Sequence, residues 1–246
     1  MTTRRKSFWS SSAISRRDRS TDDRTEFPIS LDKPKTNNIM NPSKYSPTLR
    51  GNVWFVGVAE NLLTTPRGIP LGSLCRPLVE KAALDCEHYG EDPSAEWSTY
   101  ALLCSYMEWA GQDGRPALVD AIISETESDP LYNKLGGVEL WREKLQLPDD
   151  GQFMELLKSH LNALSSRTLI ALVYGCASFH APLALSLWMA KKIAAKQLNG
   201  LLSAHLVIWP FPPKDHKKNM ILLRDFAAVP DDREQVIAAA KQQSES

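Results

Sequence analysis

A chain of 246 residues with 43% hydrophobic and 24% charged side chains has an ordinary globular composition, which excludes fibrous, wholly disordered and disulfide-scaffold classes. Lys and Arg balance Asp and Glu at 29 each, but unevenly: residues 1–39 hold nine cations and five anions, a net of +4 that leaves −4 on the rest. An acidic body lacks the concentrated basic footprint that broad nucleic-acid binding needs.

The leader, residues 1–49, is polar, basic and aperiodic, and is expected to be disordered because it cannot bury enough apolar surface to offset its ordering entropy. Arg4, Arg5, Phe8 and Trp9 faintly suggest a twin-arginine signal, but no run of 7–15 apolar residues follows. Composition changes around Met40, which is a plausible internal start giving a 207-residue product. A single globular domain is expected over 50–242, with 243–246 as a tail.

GNVWFVGVAE, Gly51–Glu60, reads as a buried strand bounded by Gly and Asn. Pro66, Gly68, Pro70 and Gly72 make the next stretch a loop. Helices follow. Pro77 opens the first and Gly90 ends it. Asp92 and Pro93 are placed to start the second, whose Tyr100–Met107 stretch is apolar on every face and so predicts a central helix. Shorter helices are predicted over 115–125 and 131–145. Asp149 and Gln152 resemble a capping box before the amphipathic run of Phe153, Leu157, Leu161 and Leu164.

No charge occurs from Thr168 to Ala190. Such a run is long enough to span a bilayer. His180, Pro182 and Gly175 interrupt it, so a pair of core helices broken near His180 is the favoured reading, with Asn199 and Gly200 as the stop. Two late strands, 205–211 and 220–226, are predicted to form a hairpin around residues 212–219. Asp231 and Glu234 are expected to cap a last helix over 232–242. The fold class is therefore α+β, predominantly helical, its small antiparallel sheet made from the early strand and the late hairpin.

No motif completes a catalytic or metal constellation. Cys75, Cys86, Cys104 and Cys176 form no C-x-x-C pair and read as reduced, mostly buried thiols. Cys176, Ser178 and His180 are the most enzyme-like cluster, yet their spacing fails to converge and apolar surroundings raise a thiol pKa. The five histidines show no zinc spacing, and Gly136–Gly137 lacks the P-loop lysine. Thr64, Thr65, Arg67 and Gly68 form a conceivable phosphate cradle, although a plain turn accounts for them as well. The dense basic patch is Lys214, His216, Lys217 and Lys218, flanked by the aromatic Trp209 and Phe211. It reads either as a solvated hairpin tip or as a contact for an acidic partner surface.

The stretches GNVWFVGVAENLLTTPRGIPLG, Gly51–Gly72, and LVYGCASFHAPLALSLWMAKK, Leu172–Lys192, resemble plasmid-encoded fertility-inhibition proteins of the FipA type. That resemblance implies a cytoplasmic factor that blocks conjugative transfer of a co-resident plasmid by engaging the coupling-protein ATPase. It carries over no site residue. The expected function is thus non-enzymatic binding of another protein, with no cofactor and no integral membrane segment. An enzyme of unrecognised class and a DNA-binding plasmid accessory protein are the alternatives.

Overall fold

The computed structural model describes residues 43–92, 98–111, 113–126, 150–179 and 216–242. Among them are strands β1 (Tyr45–Arg50), β2 (Val53–Val58), β3 (Asn61–Leu62) and β4 (Gly72–Ser73). The helices are α1 (Arg76–Tyr89), α2 (Thr99–Trp109), α3 (Arg115–Ser124), α4 (Asp150–Ala163), α5 (Ser166–Phe179), α6 (His216–Ala227) and α7 (Arg233–Lys241). The α+β, predominantly helical class is as expected. The source of the sheet is not.

The whole described sheet comes from residues 45–73. β1 and β2 form a hairpin with Arg50 opposite Val53. Its two-residue turn starts at Gly51 with φ +61°, the position where a type II′ turn demands glycine. β1 lies inside the segment assigned above to the leader, so the folded body begins before residue 50. Pairing alternates outward from the turn, which puts Pro47 at a non-hydrogen-bonded position opposite Val56. Its missing N–H therefore falls on the outer edge, where a proline blocks further strand pairing.

The other edge of β2 carries one interrupted line of antiparallel pairing. β3 pairs with Gly57 and Val58, and β4 pairs with Trp54 and Phe55. Val56 bridges the gap, accepting from Leu63 N at 2.8 Å and donating to Leu71 O at 2.9 Å. Residues 64–70 bulge out between, closed by a Thr64–Pro70 bridge. Gly72 must be glycine, since a Cβ would sit 2.7 Å from Trp54 O and 2.8 Å from the Phe55 ring.

α1 packs on β1 and β2, and α2 lies between α1, α5 and α6. Thr99–Cys104, Tyr106 and Met107 are all buried, so α2 is covered on every side as its sequence requires. It starts at Thr99 rather than at Pro93. Ser98 Oγ accepts from Ala101 N at 3.1 Å, while Asp85 of α1 accepts from Thr99 N at 2.6 Å.

The predicted late hairpin is overturned. Met220–Phe226 lies within helix α6, with Met220, Leu222, Leu223 and Phe226 buried and Ile221, Arg224 and Asp225 exposed. A strand would put Arg224 on the same face as Met220 and Phe226. A helix turns it outward. Seven apolar-rich residues are too few to separate the two periods, and Lys, Met, Leu and Arg all favour helix. The companion strand over 205–211, the helix over 131–145, and His180, Pro182, Asn199 and Gly200 lie outside the described residues. No described helix is long and apolar enough to cross a membrane.

Candidate functional site

Several polar side chains of the described body converge on one buried junction. Arg167, in the first turn of α5, has 0% exposure. Its Nη2 donates to Asp232 Oδ1 and, at 3.1 Å, to Ser73 Oγ; its Nε donates to Pro230 O at 3.1 Å. The guanidinium carbon stands 4.1 Å from the Tyr106 ring centroid and 5.1 Å from that of Phe226, so two aromatic faces share its charge. Arg167 Nη1 has no hydrogen-bond partner among the described residues.

Asp232 completes the junction from the other side. Its Oδ2 accepts from Ser73 Oγ and, at 2.8 Å, from Leu74 N. Sequence reasoning assigned Asp231 to the last helix as its cap. In the structure its two oxygens accept instead from Ser166 N at 2.8 Å and Arg167 N at 3.0 Å, capping α5. α7 has no side-chain cap of its own. Its first N–H groups, from Asp232 and Arg233, donate to Tyr106 Oη at 2.8 and 2.9 Å. Burial pushes the Tyr106 phenol up to about 12. Arg233 Nε then donates to Met107 O at 2.7 Å, joining α7 to the C-terminal end of α2.

Above this junction lies a cleft of about 540 Å³ bordered by Tyr106, Ala110, Ser166, Asp231 and Arg233. Its polar groups already hold one another. Asp231 is engaged by α5, and Arg233 Nη1 pairs with Glu234 at 2.8 Å.

The candidate phosphate cradle is likewise filled by protein. Arg67 N donates to Glu108 Oε1 at 3.2 Å, and the Arg67 guanidinium lies 4.1 Å from the Trp109 ring centroid. A carboxylate beside that loop repels a phosphate.

The cysteines are thiols without disulfides, three buried and Cys75 half-buried. Burial pushes Cys86 and Cys104 up to about 12, which is opposite to what a nucleophile needs. Cys176 is buried on α5 at 1% exposure, and His180 lies outside the described residues. No group of three or more His, Cys, Asp or Glu among the described residues is arranged to hold a metal.

No family model, curated protein or solved structure matches the chain. Its chemistry therefore has to be read from its own surface.

Of the predicted partner-contact residues, His216, Lys217 and Lys218 form the first turn of α6, with Lys218 exposed. They are not at a hairpin tip. Lys214, Trp209 and Phe211 lie outside the described residues. The junction around Arg167 escaped sequence reasoning because its members are spread from Ser73 to Arg233. Two features were present: a lone arginine directly preceding the long charge-free run, and a Pro-Asp-Asp triplet at residues 230–232.

Proposed function

We propose that this chain is a non-enzymatic regulator that binds another protein through the basic start of α6. One observation carries the reading. The first turn of α6 holds His216, Lys217 and Lys218 and no acidic residue, although the positive end of a helix macrodipole favours anions. α7 carries Glu234 in its first turn and Lys241 in its last; α1, α2, α3 and α5 also lack an acidic residue in the first turn, but α6 opens with three basic residues together. Cations at a helix N-terminus work against the helix by about 0.3–1 kcal/mol each, so their presence suits an external acidic surface. Beyond them, Ile221 adds an apolar contact at 43% exposure, flanked by the exposed Arg224.

The more specific proposal rests on the resemblance of residues 51–72 and 172–192 to fertility-inhibition proteins of the FipA type. The partner is then the coupling-protein ATPase of a conjugative transfer system, and the setting is the donor cytoplasm. Expression in donor cells that carry conjugative plasmids tests both levels. Captured chain should retain the coupling ATPase, and transfer frequency should fall at least about tenfold. Unchanged transfer with no ATPase retained would remove the conjugation reading.

A further inference from the structure

No further inference is drawn: the strongest candidate, the apolar corner of the β1–β2 hairpin where the exposed Leu49 stands opposite Trp54 under the Arg76 guanidinium, carries nothing because no feature among the described residues shows what covers it.

Discussion

Replacing Asp232 with Ala withdraws the carboxylate that pairs with a guanidinium of 0% exposure. Removing one partner of a buried ion pair costs about 3–5 kcal/mol, because the remaining charge is left dry and uncompensated. Ser73 Oγ and Leu74 N lose their acceptor as well. Against a typical total stability of about 5–15 kcal/mol, that is a large fraction. Urea denaturation should show the midpoint falling with an unchanged slope, and the thermal midpoint should drop by about 10 °C. Asp225→Ala supplies the contrast. Its pair with Arg224 is exposed at both ends, so its loss should cost no more than about 1 kcal/mol. Asp232→Leu combined with Arg167→Met should recover part of the loss, since it leaves no orphaned charge while Ser73 Oγ, Leu74 N and Pro230 O stay without their partners. A cost below about 1 kcal/mol for Asp232→Ala would refute the buried junction. So would a double variant as unstable as the sum of its singles.

Further outcomes follow from burial and backbone geometry. With native protein at pH 8, a thiol reagent should modify Cys75 quickly, and Cys86, Cys104 and Cys176 only after unfolding, because these three are buried; rapid labelling of all four would contradict the packing. Stability should decline as pH rises from about 9 towards 12, because the thiols of Cys86 and Cys104 are raised from 9.0 to about 12 in the folded state and ionise first in the unfolded chain. At pH 10 each thiol removes about 1.4 kcal/mol, so a thermal midpoint unchanged between pH 8 and 10.5 would show that they are not buried. Ala59 adopts φ 52° in the turn between β2 and β3, a conformation costing an L-residue about 1–2 kcal/mol. Ala59→Gly should therefore raise the thermal midpoint by about 1–2 °C even after glycine's greater entropy loss, and a fall would show that the turn is unstrained.

The elements legible in the sequence were those whose signal is local and long. α2 announced itself by eleven residues with apolar positions on every face, and β2 by a Val-rich run between Gly and Glu. Elements were lost where the local signal was thin. β1, YSPTLR, contains a proline and little apolar alternation, since an edge strand needs neither an unbroken ladder nor two buried faces. MILLRDF alone fits a strand as well as a helix, and the preceding HKKN turn, which belongs to the same helix, is what separates the two. The Arg167–Asp232 pair spans 65 positions, and nothing in composition or spacing carries that distance. Asp231 and Glu234 matched the pattern of a local cap, yet the side chain satisfied another helix instead. Local rules give the residue type that a helix end wants and leave open which helix receives it.

We propose above that the basic start of α6 steers an acidic protein partner onto this chain. Lys217 and Lys218 lie in the first turn of α6, where Glu complements the helix macrodipole, so replacing them and Lys214 together by Glu should leave the fold intact. Charges of this kind act over a Debye length of about 8 Å at physiological salt and govern the association rate more than the final affinity. Stopped-flow mixing with the captured partner at low salt is the decisive measurement. Association should slow at least about tenfold in the triple variant, with the difference shrinking as salt is raised; association at the wild-type rate in low salt would contradict steering by these charges.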